Sequence, residues 1–77
     1  TGTENDNVTI NGGTNTVVTG PGDDTVHVSN GNNDIETGSG SDQITLTGGT
    51  NTLDSETGND TLLISGGNNT INSRNNI

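Results

Sequence analysis

The stretch that decides the fold is residues 20–55, which read GPGDDTVHVSNGNNDIETGSGSDQITLTGGTNTLDS. Its two halves, 20–37 and 38–55, align without a gap, and in each half a Gly- and Asn-rich segment and a short aliphatic segment alternate twice. Working outward, residues 2–19 and 56–73 continue the same register, which gives four units of 18 residues. A repeat of this length predicts a solenoid, because no single unit can bury its apolar face without a neighbour stacked on it.

Each unit divides into two nonapeptides that differ in their turn residues. The first type reads GTENDNVTI (2–10), GPGDDTVHV (20–28), GSGSDQITL (38–46) and ETGNDTLLI (56–64). The second type reads NGGTNTVVT (11–19), SNGNNDIET (29–37), TGGTNTLDS (47–55) and SGGNNTINS (65–73). Gly, Asn and Asp at positions 1 to 5 favour turns, and the β-branched residues that follow favour strands. Each nonapeptide is therefore predicted to form one turn and one short strand.

Aliphatic residues occupy fixed columns of this alignment. Position 7 of every nonapeptide is aliphatic: Val8, Val17, Val26, Ile35, Ile44, Leu53, Leu62 and Ile71. Position 9 of the first type is also aliphatic (Ile10, Val28, Leu46 and Ile64), whereas the second type has Thr19, Thr37, Ser55 and Ser73 there. Positions 7 and 9 point to one face of a strand and position 8 to the other. The fold predicted is all-β: a parallel β-roll, or β-solenoid, of four coils whose two parallel sheets enclose the aliphatic columns.

Composition limits the partners of the chain. Only 19% of its 77 residues are hydrophobic, it has no aromatic residue and no Cys, and its net charge is −9 with Arg74 as the single basic residue. Nucleic acids and anionic membranes attract Lys and Arg clusters, so neither is an expected partner. No apolar run exceeds three residues, so membrane insertion is not expected either. We expect a single β-roll domain over residues 1–77, with coils 2–19, 20–37, 38–55 and 56–73 and a partial fifth coil at 74–77.

The two kinds of turn differ at position 5. The first type has Asp in every coil (Asp6, Asp24, Asp42 and Asp60), and the second type has Asn in every coil (Asn15, Asn33, Asn51 and Asn69). Three glycines two residues before the aspartates, Gly22, Gly40 and Gly58, allow the backbone to turn so that carbonyl oxygens face a cation. Carboxylate and carbonyl oxygens are the ligands that Ca²⁺ takes. The sequence predicts calcium bound along the aspartate edge, and a neutral ladder of hydrogen-bonded amides along the Asn edge.

The first-type nonapeptides resemble the repeats-in-toxin (RTX) motif G-G-x-G-x-D-x-U-x, where U is a large aliphatic residue. GPGDDTVHV and GSGSDQITL match it, and ETGNDTLLI matches with Glu56 in place of a Gly. The resemblance implies a right-handed roll in secreted or cell-surface bacterial proteins, with Ca²⁺ held between turns of successive coils by residues that map to Asp24, Asp42 and Asp60, and to Asp6 in the first coil. The first coil departs from the motif, with Glu4 where the other coils have Gly. Calcium on one edge alone is similar to the extender and ice-binding repeats of bacterial ice adhesins.

Nothing in the sequence indicates catalysis. The single histidine, His27, is predicted to face outward in a column with Thr9 and Thr45, and no nucleophile or second ligand recurs beside it. Asp23 could add a side-chain oxygen to the calcium edge, but its column also holds Asn5, Ser41 and Asn59, so we expect a solvated side chain. We therefore expect a binding or structural protein and not an enzyme.

Three functional hypotheses follow. In the first, the chain is a calcium-binding structural module of a secreted or cell-surface protein. In the second, it binds ice through Thr and Asn ranks beside the Asn edge, which resemble the N-N-T-V repeats of a ryegrass antifreeze protein; the residues are Thr14, Asn15, Thr16, Asn32, Asn33, Asp34, Thr50, Asn51, Thr52, Asn68, Asn69 and Thr70. The third concerns assembly: uncapped coils are expected to stack on neighbouring repeats of a longer chain or end to end on other copies.

Overall fold

The structure, a computed structural model, describes residues 2–73, apart from the side chain of Ser73. The predicted fifth coil at 74–77, with Arg74, lies outside the described residues. Residues 2–73 form eight strands and no helix. The strands are β1 (Asn7–Ile10), β2 (Thr14–Val18), β3 (Thr25–Val28), β4 (Asn32–Glu36), β5 (Gln43–Leu46), β6 (Thr50–Glu56), β7 (Thr61–Ile64) and β8 (Asn68–Ser73).

The strands alternate between two parallel sheets. Odd-numbered strands form one sheet in the order β1-β3-β5-β7, and even-numbered strands form the other in the order β2-β4-β6-β8. Every strand pair is parallel, and partners lie 18 residues apart except at the end of β6, where Glu56 pairs with Ser73. For example, Val26 pairs with Ile44, and Asn33 pairs with Asn51. The predicted β-solenoid of four coils and two parallel sheets is confirmed.

The core lies between the sheets, where the aliphatic columns were predicted. The buried hydrophobic residues are Ile10, Val26, Val28, Ile35, Ile44, Leu46 and Leu53. Val8, Val17, Leu62 and Ile71 of the outer coils are partly buried and pack against this core. Ile64 was also predicted to be buried, but 39% of its surface is exposed. The outer coils are less buried because, within residues 2–73, each has a neighbour on one side alone.

The turns before the odd strands depend on glycine. Gly22, Gly40 and Gly58 have φ angles of 120°, 108° and 114°, a region in which L-residues are rare. A Cβ at Gly40 would collide with the carbonyl oxygen of Gly22 in the coil before it, and a Cβ at Gly58 would collide with that of Gly40. Successive turns therefore stack backbone on backbone.

The turn of the fourth coil departs from the others at its first position. Glu56 has a φ of 55°, where the second and third coils have Gly20 (82°) and Gly38 (77°). The pairing of β6 with β8 shifts register between Asp54 and Glu56. The Glu-for-Gly replacement seen in the sequence thus coincides with a local irregularity of the sheet.

Candidate metal edge

The structure brings the four predicted aspartates into one column, at the edge where each turn enters an odd strand. Asp24 and Asp42 are buried, with 1% and 2% of their surface exposed, and Asp6 and Asp60 are half-buried. Aspartate is rarely found in the interior without a partner, because its charge loses its hydration there. Burial of two carboxyl groups in successive coils indicates that this edge serves more than solubility.

One carboxyl oxygen of Asp24, of Asp42 and of Asp60 accepts a hydrogen bond from the preceding coil. Asp24 Oδ1 accepts a hydrogen bond from the backbone N–H of Asp6 at 2.8 Å. Asp42 Oδ1 accepts one from Asp24 N–H at 2.9 Å, and Asp60 Oδ1 accepts one from Asp42 N–H at 3.0 Å. These bonds fix the side chains in the same orientation from coil to coil.

The second carboxylate oxygen, Oδ2, has an unusual environment in Asp24 and Asp42. Asp24 Oδ2 and Asp42 Oδ2 are both buried and have no hydrogen-bond partner. A buried carboxylate oxygen without a partner is costly, and such an atom in a native fold calls for an ion or water beside it. Two such oxygens, one coil apart in the stack, fit a cation that takes oxygen ligands, as Ca²⁺ does.

The electrostatics of Asp42 also favour a positive partner. Burial, and to a smaller extent repulsion from the neighbouring Asp60 and Asp24 carboxyl groups, raises the pKa of Asp42 to about 6. The Asp24 N–H and the Thr37 hydroxyl act against this rise, because each stabilises the charged carboxylate. Asp42 at neutral pH is therefore a desolvated charge that a bound cation would stabilise.

Backbone oxygens complete the set of possible ligands. Within residues 2–73, no three acidic or histidine side chains surround one point, because the aspartates are spaced one per coil. The backbone carbonyls of Asp6, Asp24 and Asp42 are already bonded to the first N–H of the next odd strand at 2.8 Å. The carbonyl oxygens of Gly22 and Gly40 lie against the glycines of the next coil, inside the stack of turns. Carboxylate and turn carbonyl oxygens together are the mixed ligand set typical of Ca²⁺.

The opposite edge needs no ion. Asn15, Asn33 and Asn51 each donate from Nδ2 to Oδ1 of the next Asn in the column, at 2.8 Å in every case. The other N–H of each amide is donated to a carbonyl of its own turn, at 2.9 to 3.1 Å. The predicted neutral amide ladder is confirmed, and it explains how Asn33 and Asn51 can be buried without charge compensation.

Two outward residues lie where the sequence placed them. His27 is exposed on the odd sheet and pairs with Thr9 on one side and Thr45 on the other. Asp23 is exposed as predicted, but its Oδ1 also accepts a hydrogen bond from the N–H of Ser41 at 2.8 Å, which the sequence reasoning missed. The sequence does contain a signal for this bond, because Asn5, Asp23 and Ser41 occupy one column of the repeat. In the preceding coil, Asn5 Oδ1 accepts the equivalent hydrogen bond from Asp23 N–H.

The fold is therefore a parallel β-solenoid of repeated coils, with a column of aspartates between glycine turns along one edge. The family model described as the RTX calcium-binding nonapeptide repeat (4 copies) matches residues 9–44, 27–62 and 45–75. The chain belongs to this family, as the motif resemblance predicted. RTX repeats bind calcium, form a structural and not an enzyme family, and typically occur in secreted proteins.

No curated protein and no solved structure matches the chain. Among the residues described, none belongs to a helix of the length and hydrophobicity needed to cross a membrane.

Proposed function

We propose that this chain is a structural β-roll module of a secreted or cell-surface protein, a single domain over residues 1–77 that orders when it binds Ca²⁺. The observation that carries the proposal is the pair of buried, unpartnered carboxylate oxygens on Asp24 and Asp42. The proposed ligand residues are Asp6, Asp24, Asp42 and Asp60, with the turns of Gly22, Gly40 and Gly58.

Calcium would act by removing an electrostatic obstacle to stacking. Successive carboxyl groups lie one coil apart, about 4.8 Å along the stack, and two of them are buried. In the absence of a cation, each added coil brings another negative charge next to the last one. An ion between coils turns this repulsion into attraction, so binding and folding are coupled.

A calcium titration followed by circular dichroism tests the proposal. We expect the chelated chain to lack β structure at neutral pH and to gain it cooperatively with Ca²⁺, whereas Mg²⁺ at the same concentration is a poor substitute because it keeps most of its water. The double variant Asp24→Asn, Asp42→Asn should lose the response. A β-rich spectrum that excess chelator leaves unchanged would contradict the proposal.

The assembly hypothesis extends this proposal. Within residues 2–73, the outermost strands β1, β2, β7 and β8 each pair on one side, and such edges accept a further strand. We propose that the module stacks on neighbouring repeats or on further copies of itself.

Ice binding is a second candidate function, favoured by one feature of the even sheet. Two outward columns of short polar side chains line a shallow groove of about 260 Å³; they are Thr14, Asn32 and Thr50 in one column and Thr16, Asp34 and Thr52 in the other. Regularly spaced hydroxyl groups on a rigid sheet can order water. Asp34 interrupts the Thr column, so Asp34→Thr should increase thermal hysteresis if this face binds ice. No hysteresis in either protein would exclude it.

A further inference from the structure

The first coil departs from the others at the third position of its acidic-edge turn. The later coils have Gly22, Gly40 and Gly58 there, with φ angles of 120°, 108° and 114°, and the first coil has Glu4. In the described part of the chain, Glu56 is the single non-glycine residue with a positive φ, so Glu4 does not share the φ of these glycines. The first turn therefore follows a different backbone path at a position where successive coils are in close contact.

The two faces of this turn are not equivalent. At Gly22 a Cβ would collide with the carbonyl oxygen of Glu4, as a Cβ at Gly40 would collide with that of Gly22. Glu4 therefore serves the coil that follows it as a glycine would. To stack on a preceding coil in the same way, Glu4 would need the positive φ of the glycines, which is strained for an L-residue. Its Cβ would then meet the carbonyl oxygen of that coil.

At the Asn edge the first coil is regular. Gly13 has a φ of 85°, close to the 97°, 88° and 87° of Gly31, Gly49 and Gly67. Within residues 2–73, the one atom within 4 Å of a Cβ at Gly13 is Asn15 Nδ2, at 3.9 Å. A preceding coil could therefore stack here, and the obstacle is confined to the acidic edge.

The charge of Glu4 is the weaker part of this obstacle. Glu4 is exposed, and it lies two residues before Asp6 in the same turn. A copy stacked in front of the first coil would bring Asp60 of its last described turn close to both. Exposed charges interact weakly in salt, because water and counter-ions screen them. The backbone strain and the Cβ are not screened.

We propose that Glu4 weakens the contact in which a second copy stacks in front of the first coil, and so limits the length of the stack. The inference rests on the stacking proposed above. The occupant is the last described coil of the other copy, in which Ile64 at a core position is 39% exposed. Such a contact forms over the core and the Asn edge but lacks the turn-on-turn contact of the acidic edge. Stacks should therefore come apart between copies before they come apart between the coils of one copy.

Two substitutions separate the backbone of Glu4 from its charge. Glu4→Gly removes the charge, the Cβ and the strain of a positive φ, whereas Glu4→Ala removes the charge but keeps the Cβ. Glu56→Gly is the matched control, because it also replaces a glutamate of an acidic-edge turn by glycine. Glu56 already has a φ of 55° and lies at the turn between the third and fourth coils, inside one copy.

Sedimentation equilibrium of the full chain in saturating calcium and moderate salt measures the association constant. We expect Glu4→Gly to raise it by about 10-fold or more, since it relieves both strain and clash. Glu4→Ala and Glu56→Gly should stay close to wild type. Calcium-dependent circular dichroism first confirms that each protein is folded. If Glu4→Gly does not fold, Glu4→Asn replaces it, because Asn tolerates a positive φ better than other residues.

The outcomes distinguish the role of Glu4 from the stacking on which it rests. If wild type associates and Glu4→Gly associates no more strongly, the role of Glu4 is wrong and stacking stands. Equal gains in Glu4→Gly and Glu4→Ala would assign the effect to charge and would also contradict the inference. If wild type stays monomeric but Glu4→Gly associates, the role of Glu4 is supported and stacking of wild type fails. If neither associates, both proposals fail.

Discussion

Asp42 has both the charge and the position expected of a metal ligand at the acidic edge. It donates its N–H to Asp60, accepts the N–H of Asp24, and keeps one buried oxygen unpaired. Both neighbouring turns keep the third-position glycine, Gly22 and Gly58. Asp24, in contrast, has the first coil on one side, and in that coil Glu4 replaces the third-position glycine.

Removal of this charge should reduce the number of ions bound. We expect Asp42→Asn to lower the calcium stoichiometry at saturation and to raise the calcium concentration at half-folding by about 10-fold. Asn51→Ser, which breaks the opposite ladder, should lower stability but leave the stoichiometry unchanged. Isothermal titration calorimetry measures both quantities. An equal loss of bound calcium in the two variants would show that the metal is not confined to the aspartate edge.

The raised pKa of Asp42 predicts how pH acts on the calcium-free chain. Its folded-state pKa is about 6, against 3.8 for an ordinary aspartate, so the folded state favours the protonated form. The stability that this group contributes is fully present below pH 3.8 and is lost as pH rises through 6. In calcium-depleted buffer, acidification from pH 7 to 4.5 should therefore increase β structure, as measured by circular dichroism. Asp42→Asn should flatten this response between those values; an unchanged profile would contradict the assignment.

At the scale of the single turn, glycine decides how closely coils stack. Gly40 combines a φ of 108° with a position where a Cβ would strike the Gly22 carbonyl oxygen. Gly12, in a turn of the Asn edge, has nothing within 4 Å of its Cβ position and no φ in the left-handed range. Replacement by Ala would therefore introduce a clash and backbone strain at Gly40, but neither of these at Gly12.

We expect Gly40→Ala to lower the free energy of unfolding by about 2 kcal/mol or more, since it adds both backbone strain and a clash. Gly12→Ala should change it by about 0.5 kcal/mol or less, because the added methyl group is accommodated and the unfolded chain loses entropy. Urea denaturation in saturating calcium measures both. Similar losses in the two variants would mean that close stacking of the turns is not what requires Gly40.

The strand pattern was predictable because its causes are local. Alternation at positions 7, 8 and 9 fixed which side chains face inward, and the period of 18 fixed which strands pair. The one-sided distribution of Asp and Asn likewise predicted the two edges, and the neutral ladder at Asn33 and Asn51 followed from amide chemistry.

Other features depend on distances between coils and were not predictable. The sequence shows that Asp42 repeats every 18 residues, but not that one of its oxygens bonds to a backbone N–H and the other is left without a partner. The exposure of Ile64 depends on what covers the last described coil, which an alignment of repeats treats as equivalent to the others.

For the whole molecule, calcium should control association as well as folding. The net charge of −9 opposes contact between copies, and ions bound along one edge reduce it. The uniform repeat makes the first and last described coils complementary, so a head-to-tail contact can continue without closing. We expect the calcium-loaded chain to form rods that lengthen with concentration in sedimentation velocity, and the chelated chain to stay monomeric.

Two neighbouring residues provide the matched variants. Ile64 is 39% exposed at a core position of the last described coil, where a further coil would cover it, and Leu63 is 62% exposed on the outer face of the same strand. Ile64→Lys should stop association, because the charge would be buried in the contact, and Leu63→Lys should permit it. Calcium-loaded wild-type protein that remains monomeric at high concentration would rule out this mode of assembly.

The side-chain hydrogen bonds of the position-5 Asp and Asn columns have a direction. In the Asp column the earlier coil donates and the later coil accepts, as from Asp6 N–H to Asp24 Oδ1, and in the Asn column the sense is the same, as from Asn15 Nδ2 to Asn33 Oδ1. A coil added upside down would set oxygen against oxygen or N–H against N–H on both edges at once. Stacks of this roll are therefore polar, their two tips differ in chemistry, and growth at one tip need not have the same rate as growth at the other.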